Sequence, residues 1–252
     1  MPVKIFKKSV EYCIANKPFF AFLLVLLFIC NYLIDLTNQT LIIPIIITVL
    51  MWGYGLQVTE NIINGGTTLP KILPRKVLKY GVKGYFVSLF YYGIQLGLLA
   101  IFAVILNFPL FELEDLILNF YDKIHLLLQH DWLSCIIFLV SGFLIVYVTS
   151  FFMELAVARL ADGGKFKNAF KFSRIKRSID IIGWRRYTVN YTKIIISICI
   201  LLFLINHNLP NEILDTIFDT ILYFLIFIIE FIGMGHVYKI YMDNKSKIQD
   251  SN

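Results

Sequence analysis

Acidic side chains inside long apolar segments are the residues of this chain best suited to chemistry. Glu230, Glu154 and Glu60 each lie within or at the end of such a segment, and Gln95 adds a neutral polar group to another. An ionised side chain at the centre of a membrane helix costs about 2.5 to 3.5 kcal/mol on insertion scales. Carboxylates at staggered depths can exchange protons or bind cations, so these four residues form a candidate intramembrane polar site.

The alternative interpretation of the same residues is structural. Glu60 and Glu154 can pair with Arg159 or Lys83 near the membrane surface, and Glu230 with a polar group on a neighbouring helix. The sequence favours this interpretation for Glu60 and Glu154, and it leaves Glu230 open between the two.

Two further groups of polar residues lie just outside, or at the start of, the apolar segments. Asp122, His125, His130 and Asp131 carry metal-binding side chains, but five positions separate the two histidines, which places them on different faces of a helix. Asp215 and Asp219, four positions apart at the start of the last apolar segment, share a helix face and could bind a cation from outside, but they are more typical of a solvated first turn.

Sequence signatures of enzymes are absent from this chain. It contains no HExxH, no GxSxG, no P-loop and no dinucleotide fingerprint. Its four cysteines stand apart from one another and from histidine. We therefore predict no catalytic residue, no metal site and no cofactor.

The composition indicates which solvent surrounds the elements that hold these residues. Hydrophobic residues make up 58% of the chain and charged residues 16%, with a mean hydropathy of +0.75. Soluble domains usually carry about 25% charged residues, so the excess apolar surface predicts a lipid bilayer. The net charge of +6 then favours contact with anionic lipid headgroups over nucleic acid.

Hydrophobic periodicity predicts an all-α integral membrane protein with a single polytopic domain over residues 1–252. A run of about 20 apolar residues is long enough to cross the hydrocarbon core of a membrane as a helix. The predicted transmembrane spans are six in number and cover about 19–34, 41–63, 84–106, 132–160, 187–205 and 213–238.

The distribution of basic residues tests the number of spans. Of the 23 Lys and Arg, all but Lys123 lie before span one, between spans two and three, between spans four and five or within their adjoining ends, or after span six. With six spans these four regions share one face, and cytoplasmic loops carry the excess of Lys and Arg. We therefore predict a multi-pass protein of the cell (plasma) membrane with both termini in the cytoplasm.

Two basic segments on that face share an order of parts. Each follows a glycine pair, Gly65-Gly66 or Gly163-Gly164, and each precedes a span, so the sequence suggests two parallel repeats. Both segments place apolar residues at helical spacing beside cations, which predicts two basic amphipathic interfacial helices. The cations expected to contact lipid headgroups are Arg75, Lys76, Lys79, Lys171, Arg174 and Arg177.

The third span carries two glycines four positions apart, Gly93 and Gly97. Small residues at this spacing let two membrane helices approach closely. We expect this face to pack closely against another helix, which could also belong to a protein partner or a second copy. The alternative is a gap that faces a substrate.

Short motifs in both repeats give the chain a family resemblance. The first half contains Gly53-Tyr54-Gly55, Asn64-Gly65-Gly66, Leu69-Pro70, Gly81 and Tyr91-Tyr92, and the second half contains Ala158-Arg159-Leu160-Ala161-Asp162-Gly163-Gly164 and Ala169-Phe170. This pattern resembles an uncharacterised family of archaeal polytopic membrane proteins. It is more distantly similar to the membrane domain attached to some glycerophosphodiesterases. The resemblance implies an integral membrane protein and no particular activity.

These observations favour a non-enzymatic protein that organises lipids or partner proteins in the membrane. The main alternative is a small transporter or permease that uses Glu230, supported by Glu154. A less favoured alternative is a membrane-embedded lipid-modifying enzyme built on the aspartates and histidines near His125.

Overall fold

The protein is mainly helical in the part of the chain described by a computed structural model, residues 2–36, 42–106, 120–205 and 212–250. No strand occurs among these residues, and a short 3-10 turn covers Phe166–Asn168. The helices are α1 (Pro2–Ile14), α2 (Lys17–Leu36), α3 (Ile42–Ile63), α4 (Pro74–Ile105), α5 (Phe120–Ala161), α6 (Phe172–Ile182), α7 (Trp184–Ile205) and α8 (Glu212–Asp250).

In the described part of the chain, five stretches of helix are long and apolar enough to cross a membrane. They are Ile42–Ile63 in α3, Pro74–Ile105 in α4, Ile136–Ala161 in α5, Trp184–Leu204 in α7 and Thr216–Gln249 in α8. In α2 the apolar stretch Lys17–Ile29 is shorter. The prediction of a membrane protein is therefore supported by five helices, whereas the first span and the orientation of the termini stay predictions.

The first basic segment does not form a helix of its own. Residues 64–73 are turn and coil, α4 begins at Pro74, and the helix continues without a break past Gly84, the predicted start of the third span. Proline at the first helical position costs no hydrogen bond, which explains the start. No residue between Lys79 and Gly84 interrupts the helix, so Arg75, Lys76 and Lys79 lie on the first turns of α4.

The second basic segment forms the separate helix α6, which ends at Gly183. Its apolar residues Ile175, Ile179 and Ile182 are buried, while Phe172 at its start is exposed. Because α6 packs against α7 and α8, the protein itself buries this stripe. The sequence predicts that this apolar stripe faces lipid, but the stripe is buried against protein. This packing fixes the position of α6.

The two glycine pairs end their helices with the same hydrogen bonds. Gly65 N–H donates to the Ile62 carbonyl, at 3.0 Å, and Gly66 N–H to that of Asn61, at 2.7 Å. In the second pair, Gly163 N–H donates to Leu160, at 3.2 Å, and Gly164 N–H to Arg159, at 3.0 Å. Both are Schellman caps, and the first glycine of each has a positive φ, 85° and 75°.

The helices that follow the two caps begin at corresponding positions. Gly163 lies 98 residues after Gly65, and Phe172, the first residue of α6, lies 98 residues after Pro74. The single helix α4 thus corresponds in the chain to α6 and α7 together. This agreement supports the predicted parallel repeat at the level of local backbone structure.

The chain divides into two compact units, Met1–Val87 with Glu154–Asn252, and Ser88–Met153. This division lies within the region that the sequence predicts as one domain. In the larger unit α8 is the central helix, since it packs most extensively against α3 and α7 and also contacts α1, α2 and α6.

Within the larger unit α3 and α4 cross at two glycines. A side chain on Gly53 would overlap the Val77 carbonyl oxygen, and one on Gly81 would overlap that of Val49. A backbone carbonyl of each helix therefore contacts the glycine of the other helix. Only a residue without Cβ allows this close approach.

Gly93 and Gly97, the pair predicted to pack a helix, do not take part in such a crossing. No atom of the described residues lies within 4 Å of a Cβ built on either glycine. The expectation of packing within the described part of this chain is therefore wrong. Contact with a protein partner or a second copy stays a prediction.

Candidate functional site

Glu154 on α5 and Glu230 on α8 are brought together inside the larger unit. Their carboxyl groups lie close enough to interact directly. Glu154 is 7% exposed and Glu230 is half-buried. The structure thus brings together two of the four residues of the candidate polar site.

A second polar contact joins the same two helices nearer their ends. The Tyr238 hydroxyl donates to Oδ2 of Asp162 at 3.2 Å, across 76 positions of the chain. Glu230 follows Glu154 by the same number of positions. Two contacts of equal offset mean that α5 and α8 run in the same direction and in constant register.

A short apolar layer separates these two contacts along the helices. Eight residues, or about 12 Å of helix, lie between the levels of Glu154 and Asp162. Ala158 and Met234, which lie midway between the two contacts on their helices, are 1% and 2% exposed. Asp162 is exposed whereas Glu154 is buried, so this layer shields the carboxyl pair from that end of α5.

Glu60 at the end of α3 lies in a different set of contacts. Its Oε2 is 2.5 Å from Nζ of Lys76, and that ammonium also lies over the ring of Tyr80. The partners expected from the sequence, Arg159 and Lys83, are therefore wrong for Glu60. The start of α4 at Pro74 is the reason, because it places Lys76 on the first turn, next to the end of α3.

Arg159 instead binds the connector of its own repeat. Its guanidinium donates to the carbonyl of Arg174 at 2.7 Å and to the hydroxyl of Ser178 at 3.4 Å. Asn61, which occupies the corresponding position in the first repeat, donates to the carbonyl of Thr68 at 2.8 Å. In both repeats, a side chain in the last helical turn before the glycine cap therefore donates a hydrogen bond to the segment that follows the cap.

A polar cavity of about 370 Å³ lies at the end of α3. Gln57, which is 4% exposed, holds one wall: its Nε2 donates to the Lys71 carbonyl at 2.5 Å, and its Oε1 accepts from Leu73 N–H at 3.4 Å. The lining residues are Gln57, Glu60, Asn61, Asn64, Pro70, Lys71, Leu73 and Lys76. Sequence reasoning missed this cavity because its walls come from a coil between two helices.

α1 also reaches this region through a buried tyrosine. The Tyr12 hydroxyl accepts a hydrogen bond from Nδ2 of Asn61 at 2.6 Å. Burial raises the pKa of Tyr12 to about 12, so the phenol stays protonated at neutral pH. The sequence carried no signal for this contact, because Tyr12 precedes the predicted spans.

Gln95 lies in the smaller unit, separate from the glutamates. Its side chain is 8% exposed, and its Nε2 donates to the Val146 carbonyl at 3.3 Å. This bond joins α4 to α5 within that unit. The structure therefore does not bring Gln95 together with Glu154 and Glu230.

The cations predicted to contact lipid are mostly exposed. Among the described side chains, Lys7 and Lys76 are the cations with a carboxylate oxygen within 4.0 Å. Exposed cations without a carboxylate partner include Arg75, Lys79, Lys171, Arg174 and Arg177.

The side chains of Asp122, His125, His130, Asp131 and Asp215 lie outside those that the structure describes. Within the side chains that it does describe, no group of three or more His, Cys, Asp or Glu could hold a metal ion.

Comparison with known proteins places the chain in a family without assigning an activity. No curated protein and no solved structure is significantly similar to it. An archaeal source and the likeness to glycerophosphodiesterase membrane domains stay predictions. The family described as "Protein of unknown function (DUF4013)" matches residues 39–207, which include α3, α4, α6 and α7, and the chain belongs to this family.

Proposed function

We propose that this protein is a non-enzymatic membrane protein that organises anionic lipids at the cytoplasmic face of the cell membrane. The observation that carries the proposal is the set of exposed cations that have no carboxylate partner among the described residues. Basic residues at a membrane surface attract anionic headgroups, at about 1 kcal/mol for each Lys or Arg.

Helix α6 supports this proposal because its cations are held in place. Ile175 and Ile179 are fully buried against the protein, and the Arg174 carbonyl accepts the bond from Arg159. The packing prevents α6 from rotating about its axis. It therefore fixes the directions in which Arg174 and Arg177 on the helix, and Lys171 at its N-cap, project. A fixed group of cations favours clustering of anionic lipids over transient contact with single ones.

The test is the lipid composition around the reconstituted protein. The protein is placed in vesicles of phosphatidylglycerol and phosphatidylcholine, excised in polymer-bounded discs, and the lipids are quantified. We expect phosphatidylglycerol to be enriched over the starting mixture. Replacing five exposed cations by Gln should remove this enrichment; these are Arg75, Lys79, Lys171, Arg174 and Arg177.

A charge-conserving variant is the matched control for this test. Arg75→Lys with Arg174→Lys and Arg177→Lys keeps every positive charge, so the enrichment should persist. Discs of wild-type protein with the composition of the starting vesicles would overturn the proposal. Equal enrichment in the wild type and the Gln variant would do the same.

A second candidate function, proton-coupled or cation-coupled transport, is favoured by the direct interaction of the Glu154 and Glu230 carboxyl groups. We expect Glu230→Gln to abolish flux in proteoliposomes, because the amide cannot release a proton. Asp243→Asn, which changes an exposed carboxylate on the same helix, is the control and should leave flux unchanged. A wild-type protein that carries no proton or cation current would exclude this function.

A further inference from the structure

The helical conformation is interrupted at Gly183, between α6 and α7. This residue has a φ of 92°, and its N–H ends α6 by donating to the Ile179 carbonyl at 2.8 Å. Tyr187 N–H donates to the Gly183 carbonyl at 2.9 Å, so the next helix begins at once. Two helices thus meet at one residue whose backbone conformation favours glycine.

The corresponding position of the first repeat has no such break. Tyr85 precedes Gly183 by 98 positions and lies in the uninterrupted helix α4. The interruption is therefore a property of the second repeat alone, and the repeated architecture does not require it.

An open cavity of about 680 Å³ lies at this break. Three of the residues that line it are cations: Arg185, Arg186 and Lys193. No carboxylate oxygen of the described residues lies within 4.0 Å of any of them. The cavity therefore combines three positive charges with space for a ligand.

The polar neighbours of these cations leave the charge of the cavity positive. The Asp180 carboxylate accepts the indole N–H of Trp184 at 2.7 Å. Asn190 donates through Nδ2 to the carbonyl of Arg186, at 2.9 Å, and does not engage its guanidinium. Arginine side chains match the geometry of phosphate oxygens, which favours phosphate as the ligand.

Apolar side chains lie beside the cations in the same cavity. Trp184 and Val189 are 44% and 45% exposed, and both are on α7, which is apolar and long enough to cross a membrane from this point. Tryptophan is enriched at the level of lipid headgroups. An acyl chain could follow α7 while its headgroup occupies the basic cavity.

We propose that the cavity at the α6–α7 break binds one anionic phospholipid through its phosphate. Arg185, Arg186 and Lys193 bind the phosphate, and the exposed faces of Trp184 and Val189 contact the first part of an acyl chain. This inference rests on the proposed function and deepens it, because it adds one stoichiometric lipid to the general enrichment around the protein.

Native mass spectrometry of the purified full chain, with added short-chain lipids, tests the proposal. We expect the wild type to bind one dioctanoyl phosphatidylglycerol at least 10-fold more tightly than dioctanoyl phosphatidylcholine. Arg185→Gln with Arg186→Gln should weaken this first binding at least 10-fold. Lys245→Gln with Lys247→Gln removes the same charge from the exposed end of α8, outside the cations assigned to lipid binding, and should leave it unchanged.

Two further measurements keep the result interpretable. Lys193→Gln, a milder change in the same cavity, should weaken the first binding severalfold even if the double variant fails to fold. Inorganic phosphate is added to separate the two sources of the anion. Phosphate that binds as tightly as phosphatidylglycerol would overturn the proposal of a lipid ligand.

The outcomes also separate this inference from the proposed function. Equal loss of the first lipid in the cavity variant and the control variant would overturn the cavity site. Enrichment of phosphatidylglycerol in the discs would survive that result. Absence of enrichment, with one lipid still bound at the cavity, would instead overturn only the lipid-organising function.

Discussion

Gly53 and Gly81 show how single residues set the distance between two helices. The carbonyl oxygens of Val77 and Val49 lie where their side chains would be. Backbone atoms cannot move aside as a flexible side chain can, so a methyl group at either position forces α3 and α4 apart. Gly93 has no such neighbour among the described residues.

We expect Gly53→Ala and Gly81→Ala each to lower the free energy of unfolding by about 1–3 kcal/mol, through overpacking at the crossing. Thermal unfolding of the detergent-purified variants measures the effect. Gly93→Ala is the control, and its melting temperature should be unchanged or slightly raised, because alanine favours helix over glycine. Equal melting temperatures for all three variants would show that the crossing is not close.

Cys13 is a second position where the surroundings of one side chain determine its chemistry. It is 1% exposed, and burial raises the pKa of its thiol to about 12. The thiolate is the reactive form, and at pH 8 it is about one part in 10⁴ of such a thiol. Cys13 should therefore be inert in the folded protein.

Maleimide labelling at pH 8 measures this inertness in a variant whose other three cysteines are replaced by Ser. The control replaces Cys13 as well and carries Lys165→Cys, which introduces a thiol at an exposed position. We expect Cys13 to react at least about 100-fold more slowly than this introduced thiol, because so little of it is thiolate. Unfolding the protein should make the two rates equal. Rapid labelling of Cys13 in the folded protein would contradict its burial.

At the scale of single elements, α6 is the helix whose environment differs most from the expectation. Its periodicity was sufficient to predict a helix with one apolar stripe and a row of cations. Periodicity cannot distinguish burial against lipid from burial against protein, because both surroundings are apolar. The packing of α6 on α7 and α8 depends on contacts between segments distant in the chain, which no local pattern contains.

Substitutions within the stripe of α6 test which surface it faces. Ile179 is fully buried and Phe172 is 56% exposed. We expect Ile179→Ala to lower the free energy of unfolding by about 2–5 kcal/mol, through the cavity left in the protein. Phe172→Ala should change it by about 0.5 kcal/mol or less, as is usual at exposed positions. Thermal unfolding measures both, and equal losses would mean that α6 does not pack as the structure shows.

The ends of the helices were predictable where a residue type determines the backbone. Gly65 and Gly163 mark two helix ends in the sequence because a positive φ favours glycine. The start of α4 was less evident. Pro74 is compatible both with a break and with a first helical position, and only the residues that follow decide between the two.

At the scale of the whole molecule, the residues of the candidate site could be predicted singly but not as a pair. Glu154 and Glu230 are recognisable as candidates in the sequence because an ionisable side chain in an apolar helix has a high free energy of insertion. Their contact depends on the register of α5 against α8, as the bond from Tyr238 to Asp162 also does. Glu60 and Gln95 have the same signal in the sequence, yet each lies among different partners.

The six-span topology makes a prediction about the whole chain. Single cysteines introduced as Lys71→Cys, Lys165→Cys and Lys245→Cys should react with a membrane-impermeant maleimide from the cytoplasmic side, because basic clusters stay inside. Lys123→Cys should react only from the opposite side. Inside-out and right-side-out vesicles, in a background without the native cysteines, give the two measurements. Labelling of the Lys245→Cys and Lys123→Cys variants from the same side would require a different number of spans.

The central position of α8 has a consequence for the order in which the protein is assembled. The Thr59 hydroxyl donates to the Phe231 carbonyl at 3.0 Å, across 172 positions of the chain, and Gly55 lies against the ring of Phe231. Synthesis begins at the N-terminus, so α3 enters the membrane long before its partner helix is made. The face of α3 that carries Gly55 and Thr59 therefore lacks its partner until α8 has been synthesised and inserted. A chain that stops before α8 leaves this face open, which makes it a natural target for membrane quality-control proteases.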